Sequence, residues 1–331
     1  MNIFVTGGAG YIGSATAEAL LNAGHSVTVY DSLVTGHRQA VPRGARFVES
    51  PIEDRRALTK ALTQQPFDAV MHFAAFIEAG ESMKDPGRFY FNNLVNSLTL
   101  LETAHMAGVG RFVFSSTAAV YQSSEKPLTE ESPLGPTNVY GHTKLMVEQA
   151  LDWYRKVHGL HYAALRYFNA CGSLPGRGEA HQPESHLIPL VLRVALGQSP
   201  AASIFGTDYP TPDGTCIRDY IHIADLVAAH LLALDALANA DCLVYNLGSG
   251  HGYSVREVIE MARKVTGQPI PANEAPRRPG DSARLVAASD KIRRELGWQP
   301  RHDNLEEIVS SAWEWQRTHP RGYQRKGITL S

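Results

Sequence analysis

Tyr140 and Lys144 place a phenol and an ammonium four residues apart in a stretch with helical character. Positions i and i+4 share one face of a helix, so both groups could reach the same ligand. A free tyrosine has a pKa near ~10, but a nearby positive charge favours the phenolate and lowers that pKa. Thr117 could present a hydroxyl to the same reacting oxygen. The trio predicts proton transfer at an alcohol or ketone, although such a pair also arises by chance on helices.

A glycine-rich turn near the N-terminus predicts a binding site for a cofactor that could take part in that chemistry. The run Asn2–Thr6 has the pattern of a buried strand, Gly7, Gly10 and Gly13 follow it, and a helical pattern covers Ser14–Leu21. Strand, glycine turn and helix in this order are typical of dinucleotide-binding loops, where the backbone approaches a pyrophosphate at the helix N-terminus. A bound nicotinamide, when oxidised, would add positive charge beside the tyrosine.

Asp31 indicates which dinucleotide is bound. It ends a second predicted strand, Ser26–Tyr30, within about 20 residues of the glycines. A carboxylate there would accept hydrogen bonds from the adenosine ribose and repel a 2′-phosphate, which favours NAD over NADP. Taken alone, the residue is an equally good turn former.

The elements that must position these groups alternate between strand and helix. This alternation predicts an α/β fold with a Rossmann-type, doubly wound parallel sheet, whose ligands gather at the carboxyl ends of the strands. Further predicted strands are Arg46–Val48, Ala69–Phe73, Arg111–Phe114 and Tyr162–Arg166, with helices at Arg55–Gln64, Arg88–Ala107 and from Tyr140 to about His158.

Regular alternation ends near residue 170, where segments rich in glycine and proline begin. We therefore predict an NAD-binding domain over residues 1–170 and a smaller, mixed α/β substrate domain over 171–331. Segments near 218–248, specifically Ile221–Ile223 and Val244–Leu247, are expected to return to the main sheet. Residues 319–331 have the composition of a basic, solvated tail.

Composition excludes several classes of function. The 331 residues are 44% hydrophobic and carry a formal net charge of −2, which provides no attraction for nucleic acid or an anionic membrane. No membrane span or targeting segment is evident. Three cysteines are too few and too scattered for a disulfide framework or a zinc site, so we expect no metal and a cytoplasmic location.

The chain resembles the UDP-glucose 4-epimerase family of the extended short-chain dehydrogenase/reductase superfamily. The resemblance spans nearly the whole sequence, and its motifs beyond residue 170 are more specific than the glycine loop. The matching stretches are Gly7–Ser14, His72–Ala75, Gly80–Ser82, Phe114–Thr117, Tyr140–Glu148, Leu165–Asn169, Ile204–Pro210, Arg218–His222, Arg277–Asp281 and Leu296–Trp298.

The resemblance implies an enzyme that interconverts UDP-galactose and UDP-glucose with tightly held NAD. Tyr140 would take the proton of the sugar 4-hydroxyl while hydride leaves C4, and the 4-keto sugar would then turn over and accept hydride on its other face. Lys144 and Thr117 would complete the catalytic set. The resemblance also implies a homodimer with a UDP-hexose as its substrate.

Two sets of binding residues are likewise implied by the resemblance. Expected at the cofactor are Gly7, Gly10, Tyr11, Ile12, Gly13, Asp31, Ser32, Ile52, Phe73, Ala74, Ala75, Ile77, Asn92, Ser115, Tyr140, Lys144, Tyr167 and Phe168. Expected at the UDP-sugar are Thr117, Tyr140, Phe168, Asn169, His186, Leu187, Ser203, Phe205, Arg218, Tyr220, Arg278, Asp281 and Leu285. The arginines suit a diphosphate because they form forked, charge-assisted hydrogen bonds.

Some positions depart from the family pattern. Pro51 replaces an Asp that meets adenine in relatives, and Ile77 replaces a Lys found in some of them. His186 stands where some relatives have Asn beside the diphosphate. Leu285 is intermediate in size at the position that helps decide whether an N-acetylated sugar fits, so N-acetylhexosamine and uronate substrates stay open.

Two other functions compete with epimerisation. A sugar-nucleotide 4,6-dehydratase needs a further acid and base, typically Asp-Glu after the threonine, whereas this chain has Ala118 and Ala119. A catalytically silent NAD-binding regulator would have no need of Thr117, Tyr140 and Lys144. Both alternatives are therefore less consistent with the residues than an epimerase.

Overall fold

The computed structural model describes residues 1–278 and 280–323. Its strands are β1 (Asn2–Thr6), β2 (Ser26–Asp31), β3 (Arg46–Glu49), β4 (Ala69–His72), β5 (Arg111–Thr117), β6 (His161–Tyr167), β7 (Asn169–Cys171), β8 (Ala202–Phe205), β9 (Ile217–His222), β10 (Cys242–Leu247), β11 (Gly252–Ser254), β12 (Ala272–Ala275) and β13 (Arg284–Leu285). Its α-helices are α1 (Tyr11–Asn22), α2 (Arg55–Thr63), α3 (Ala79–Ser82), α4 (Pro86–Phe89), α5 (Asn96–Met106), α6 (Val139–His158), α7 (Leu187–Ala195), α8 (Ile223–Ala236), α9 (Val255–Thr266), α10 (Asp290–Leu296) and α11 (Leu305–Thr318).

Seven of these strands form one parallel sheet in the order β10-β6-β5-β4-β1-β2-β3. The direction of strand order reverses between β1 and β4, which creates a crevice at their carboxyl ends. Gly7 follows β1 and Phe73 follows β4, so both lie at this crevice. The predicted α/β class and the doubly wound parallel sheet are confirmed.

Alternate side chains of β1 show how the sheet is buried on both faces. Ile3 and Val5 join an apolar core with Leu20 of α1 and Leu226 of α8, whereas Phe4 joins a second core on the other side. That second core includes side chains of α2, α5 and α6. Because successive strand residues point to opposite faces, a nearly continuous apolar run is what a strand covered on both sides requires.

A second region is built around β9. This strand pairs with β7, β11 and β13, and the separate pair β8 and β12 lies outside that sheet. Side chains of α7, α9 and α11 pack into an apolar core with Tyr220 of β9. The helices thereby support the strands that carry several predicted substrate-binding residues.

The predicted return to the main sheet is half right. Val244–Leu247 lies in β10, which pairs with β6 as the edge strand of the seven-stranded sheet. Ile221–Ile223 does not return: the residues through His222 belong to β9 of the second sheet, and Ile223 begins α8. β9 finds its hydrogen-bond partners in β7, β11 and β13 instead. The domain boundary near residue 170 stays a prediction.

Helix boundaries differ from expectation in two places. α1 begins at Tyr11, three residues before Ser14, with Gly10 as its N-cap residue. The expected helix over Arg88–Ala107 is interrupted by a π-helical turn at Tyr90–Val95.

Within the described residues, no helix combines the length and apolarity that crossing a membrane requires. The predicted basic tail falls mostly at residues 324–331, which lie outside the described residues.

Candidate functional site

The glycine loop is shaped by close backbone approaches. Gly7 has φ +72°, and a Cβ there would lie 2.5 Å from the backbone nitrogen of Ala74. A Cβ at Gly13 would lie 2.2 Å from the carbonyl oxygen of Gly7. The amide of Gly10 donates to that same carbonyl at 3.1 Å, and α1 starts at the next residue. First-turn amides of a helix have no acceptor within the helix, so this loop fits the pyrophosphate of a dinucleotide.

Asp31 anchors the loop to the end of β2. Its carboxylate accepts hydrogen bonds from the amides of Ala9 at 2.9 Å and Leu33 at 2.8 Å. Burial raises the pKa of Asp31, while the two amide donors and the charge of His37 oppose that rise. An ionised Asp31 retains further lone pairs for the ribose hydroxyls that the sequence predicts as its partners.

Tyr140 and Lys144 lie in the first two turns of α6. The side chain of Asn138 caps this helix by accepting from the amide of Gly141 at 2.8 Å. A Cβ at Gly141 would lie 2.2 Å from the carbonyl oxygen of Ala119, so the missing side chain lets α6 approach the segment after β5. That approach brings the tyrosine and lysine to the strand end that carries Thr117.

The net effect of the protein on the Tyr140 phenol is a raised pKa. Burial raises the pKa of Tyr140 to about 12, a hydrogen bond from Thr117 acts in the opposite direction, and the charge of Glu78 adds to the rise. Lys144 holds its Nζ 6.0 Å from the Tyr140 ring centroid and donates to the carbonyl of Ser115 at 2.8 Å. Lys144 is not among the groups that shift the pKa of Tyr140 in the chain alone, and its combined effect with an oxidised nicotinamide stays a prediction.

Burial also lowers the pKa of Lys144. Lys144 is 2% exposed, and burial lowers its pKa to about 7, with the charge of Glu148 opposing that change. The ammonium lies 4.9 Å from the centroid of the Phe114 ring. A lysine held this way loses its bulk hydration, so its charge acts strongly on any group brought beside it.

Asn93 is a functional candidate that sequence reasoning missed. Its side chain accepts from the amide of Phe76 at 2.8 Å and donates to the carbonyl of Phe76 at 2.9 Å and to Thr143 at 3.3 Å. The residue lies in the π-helical turn and is 2% exposed. π-Turns often occur at functional sites. Here the turn lets Asn93 hold the predicted cofactor segment Phe73–Ile77 against α6.

A buried ion pair fixes α6 to the sheet. Arg166 of β6 donates to Glu148 of α6, with Nη2 to Oε2 at 2.6 Å, and the two side chains are 6% and 7% exposed. Ser116 also donates to Glu148, and Arg166 Nη1 donates to the Tyr121 hydroxyl at 2.8 Å. The signal in the sequence is Arg166, a charged residue within the mostly apolar run of β6.

Several predicted substrate residues meet around Asp281. One carboxylate oxygen lies 3.7 Å from Nη2 of Arg218, and the other accepts from Nε of Arg278 at 3.0 Å. The Arg278 guanidinium lies 4.9 Å from the centroid of the Phe205 ring. Leu285 stands beside Arg218 in the pairing of β13 with β9. This group combines two cations with an aromatic face.

The other predicted substrate residues lie at neighbouring strand and helix ends. Asn169 pairs with Tyr220 between β7 and β9 and donates to the carbonyl of Asp219 at 2.7 Å. Ser203 is on the same exposed face of β8 as Phe205. His186 is the N-cap residue of α7, and Leu187 begins that helix.

The other predicted cofactor residues line the carboxyl edge of the main sheet or flank it. Thr117 and Tyr167 are register partners at the ends of β5 and β6, and Ser115 lies two residues before Thr117. Phe168 packs with Ala118 and Leu285. Asn92 donates to the side chain of Asn93 at 2.9 Å. Ser32 is exposed beyond β2, whereas Ile52 is buried with Phe4 and Tyr30.

Comparison with known proteins gives the family. Residues 3–248 match the model of the NAD dependent epimerase/dehydratase family. The UDP-glucose 4-epimerase of Lacticaseibacillus casei is 47% identical over 327 residues, which is 98% of this chain and 99% of the relative. That of Halalkalibacterium halodurans is 50% identical and covers 98% of each chain.

Solved structures agree with this assignment. The UDP-glucose 4-epimerase from Bifidobacterium longum, in complex with NAD⁺ and UDP, superposes with a TM-score of 0.94 at 36% identity. The match covers 98% of this chain and 100% of that one. Sequence and fold thus place the chain in the NAD dependent epimerase/dehydratase family, among the UDP-glucose 4-epimerases.

Proposed function

We propose that this protein is an NAD-dependent UDP-sugar 4-epimerase that interconverts UDP-galactose and UDP-glucose through a transient 4-keto sugar. The observation that carries the proposal is the half-buried Tyr140, which lies one helical turn from Lys144 and close enough to Thr117 for that hydroxyl to lower its pKa, at the strand edge that also holds the glycine loop. The relatives described above support the same reaction.

In this reaction Tyr140 receives the proton of the sugar 4-hydroxyl as hydride leaves C4. NAD, when bound, supplies the hydride acceptor and returns the hydride within each cycle, so no external oxidant is consumed. Because burial holds the pKa of Tyr140 near 12, the phenolate needs the cationic surroundings of the loaded site. Thr117 stabilises the phenolate by donating a hydrogen bond to it.

The residues around Asp281 are proposed to hold the UDP moiety. Arg218 and Arg278 match the geometry of a diphosphate, because guanidinium groups bind phosphate oxygens through paired donors. Phe205 would lie beside the base or ribose, and Asp281 would accept from ribose hydroxyls. The sugar would then extend from this group toward Tyr140.

The test is proton NMR of UDP-galactose incubated with the purified protein and no added cofactor. We expect the signals of UDP-glucose to appear until the two sugars reach equilibrium. The variant Tyr140→Phe should abolish turnover while the bound NAD, measured after denaturation, stays the same. Unchanged UDP-galactose with a full complement of NAD would overturn the proposal. Parallel runs with UDP-N-acetylgalactosamine and UDP-glucuronate report on the pocket beside Leu285.

We further propose that the protein is a homodimer. Exposed apolar side chains lie along the π-turn, α5 and α6, and we call them together the α5–α6 patch: Phe91, Val95, Leu98, Met106, Trp153 and Val157. Trp153 is 64% exposed and Met106 is 73% exposed. Large exposed apolar patches mark interaction sites, and a second copy can cover the same patch about a two-fold axis.

A cytoplasmic location stays a prediction. Cys171, Cys216 and Cys242 are free thiols, and two of them are buried. Free thiols are typical of proteins in reducing compartments, which supports this location.

A further inference from the structure

A short segment after β7 contacts the loop that follows β2. We call them the clamp segment (residues 177–180) and the ribose loop (residues 32–40). The ribose loop begins directly after Asp31, which the sequence predicts as the partner of the adenosine ribose. The clamp segment lies beyond residue 170, in the part of the chain that is expected to hold the substrate. The proposed reaction gives no role to Arg177 of the clamp segment or to His37 of the ribose loop.

The ribose loop folds back against Asp31 and the glycine loop. A Cβ at Gly36 would lie 3.0 Å from Oδ1 of Asp31 and 3.0 Å from the Cβ of Ala9. The amide of His37 donates to the carbonyl of Ala9 at 2.8 Å. Asp31 itself is only 9% exposed. A ribose bound to Asp31 would therefore border the ribose loop, so movement of this loop would open the adenosine end of the site.

Arg177 fastens the end of the ribose loop. Its Nη1 donates to the carbonyl of Ala40, the last residue of the loop. Its Nε and Nη2 donate to the two carboxylate oxygens of Glu18 in α1, at 2.7 and 3.0 Å. The Arg177 side chain is 11% exposed, whereas that of Glu18 is 41% exposed. The fixed fork of a guanidinium can bind a carboxylate and a carbonyl at the same time, and these charge-assisted hydrogen bonds are stronger than neutral ones.

His37 fastens the middle of the ribose loop. Its Nε2 donates to the carbonyl of Ala180 at 3.0 Å. Its ring centroid lies 5.2 Å from that of Tyr323, which lies 5.0 Å from that of Trp315 in α11. Nε1 of Trp315 donates to the carbonyl of Glu179 at 3.0 Å. Because the clamp segment is itself bound to α11, it gives the ribose loop a fixed support.

We propose that Arg177 and His37 keep NAD bound between turnovers by holding the ribose loop closed across Asp31. This inference rests on the proposed function through the placement of the adenosine ribose at Asp31. Release of the reduced cofactor before the hydride returns would leave the 4-keto sugar behind, so the proposed reaction requires a cofactor that stays. Both residues act through the ribose loop and are positioning residues.

The competing interpretation is that these contacts only stabilise the fold. The two interpretations differ in the property that a variant changes. A clamp variant should lose NAD faster, yet it should turn over at the normal rate once NAD is saturating, because Thr117, Tyr140 and Lys144 are untouched. A variant with a damaged fold would lose kcat at every NAD concentration.

Exchange of the resident NAD measures this difference. The full-length holoenzyme, without substrate, is mixed with a large excess of isotopically labelled NAD⁺ and desalted after set times. The protein is then denatured, and mass spectrometry of the released cofactor gives the fraction of resident NAD that has been replaced. Epimerisation of UDP-galactose is measured in parallel, with and without added NAD⁺.

We expect the resident NAD of the unmodified protein to outlast many turnovers. Arg177→Gln should speed the exchange by roughly 10- to 100-fold and His37→Ala by roughly 5- to 10-fold, in line with the loss of charged and neutral hydrogen bonds. Both variants should need added NAD⁺ for full activity and should then reach the unmodified kcat. Arg43→Gln, at an exposed arginine just beyond the ribose loop, and the exposed His251→Ala are the matched controls and should exchange NAD at the original rate.

Circular dichroism checks that each variant is folded. Unchanged exchange in both folded variants would overturn the proposal, and so would an equal acceleration in the two controls. Loss of kcat at saturating NAD⁺ would overturn it in favour of a purely structural role. Because exchange is measured without substrate, an unmodified protein that held NAD but left UDP-galactose unchanged would contradict the proposed function, while the exchange rates would still decide the role of the clamp.

Discussion

At the scale of single residues, the surroundings of Tyr140 oppose its proposed role as a base. The protein around it favours the neutral phenol until bound NAD adds positive charge. Burial raises its pKa to about 12, and Thr117 provides the opposing hydrogen bond. Thr117 is itself held because its Oγ1 accepts from the amide of Ala119 at 3.1 Å. The hydroxyl of Thr117 is therefore the protein's own contribution to forming the phenolate.

Removing that hydroxyl should raise the pKa of Tyr140 further. We expect Thr117→Val to lower kcat by roughly 100-fold, in the range of general acid–base effects, and to move the rise of the pH–rate profile to higher pH. Thr117→Ser, which keeps the hydroxyl, should restore most of the rate and the original profile. The measurement is kcat against pH with UDP-galactose. A slow Thr117→Val variant with an unshifted profile would show that the residue acts only through packing.

The resemblance of motifs predicts Thr117, Tyr140 and Lys144 as the catalytic trio, whereas the residues that contact this trio could not be predicted. Asn93 and Ser82 act through their contacts: Ser82 is fully buried and its hydroxyl accepts from the amide of Tyr140 at 3.1 Å. Neither residue belongs to a pattern that reveals such a contact, because the partners lie 58 residues apart in one case and 17 to 50 in the other. Their roles depend on the fold.

At the scale of elements, the catalytic helix α6 is held in place by the Glu148–Arg166 pair. The cost of burying two charges is offset only while both are present. We expect Glu148→Gln to lower the free energy of unfolding by about 3 kcal/mol, because it leaves the Arg166 charge buried without its partner. Urea unfolding measures this change.

A second variant identifies the cause of that loss. Glu148→Gln combined with Arg166→Met should be more stable than Glu148→Gln alone, since the unpaired charge is gone. If the double variant were less stable by the sum of the two single effects, the pair would not be coupled and the explanation would fail.

His72 links β4 to β1 and to the π-turn region. Its Nδ1 lies 2.7 Å from the Thr6 hydroxyl and its Nε2 lies 2.8 Å from the Ser97 hydroxyl. Burial, with a smaller effect of the Lys144 charge, lowers the pKa of His72 to about 3. The unfolded chain, with a histidine pKa near ~6.5, therefore binds a proton first as pH falls. Stability from this residue is complete above that pH and is lost between about pH 6.5 and pH 3.

We expect His72 to account for about 2 kcal/mol of the stability lost between pH 7 and pH 5. His72→Asn should thus show a weaker fall in unfolding free energy over that interval, whatever its stability at pH 7. Urea titrations at both pH values make the comparison, with the exposed His251→Asn as the control that keeps the original dependence. Equal pH dependence in His72→Asn would contradict the assignment.

The strand–helix order of the first 170 residues was predictable because period-two and period-3.6 patterns are local. The π-turn was not, because the contacts that Asn93 makes from it, with Phe76 and Thr143, join residues far apart in the sequence. The pairing of β9 was not predictable either. Its residues suit a strand of either sheet, and only the three-dimensional arrangement of β7, β11 and β13 decides where it pairs.

At the scale of the whole molecule, the α5–α6 patch is the feature that an isolated chain leaves exposed. The two helices of the patch contact each other, as in the rings of His105 and His158 with 4.1 Å between centroids. A charge in its centre should be incompatible with a second copy packed against it, because a buried unpaired charge is costly.

We therefore expect Trp153→Glu with Val157→Glu to convert the protein from dimer to monomer, as measured by light scattering coupled to size-exclusion chromatography. Val34→Glu, at an apolar residue that is 70% exposed outside the patch, is the control and should leave the dimer intact. A double variant that stays dimeric would locate the contact on another surface.

The path of the chain between the two sheets limits where this enzyme can be divided into fragments. After β9 the chain passes through α8 into β10 of the main sheet and then continues to β11 beside β9. A fragment that ends near residue 170 would expose the edge of β6 and lose the helix that covers α1. Substrate preference in this protein should therefore be redesigned by point substitutions around Leu285, because grafting another enzyme's carboxyl-terminal half would also replace part of the nucleotide-binding sheet.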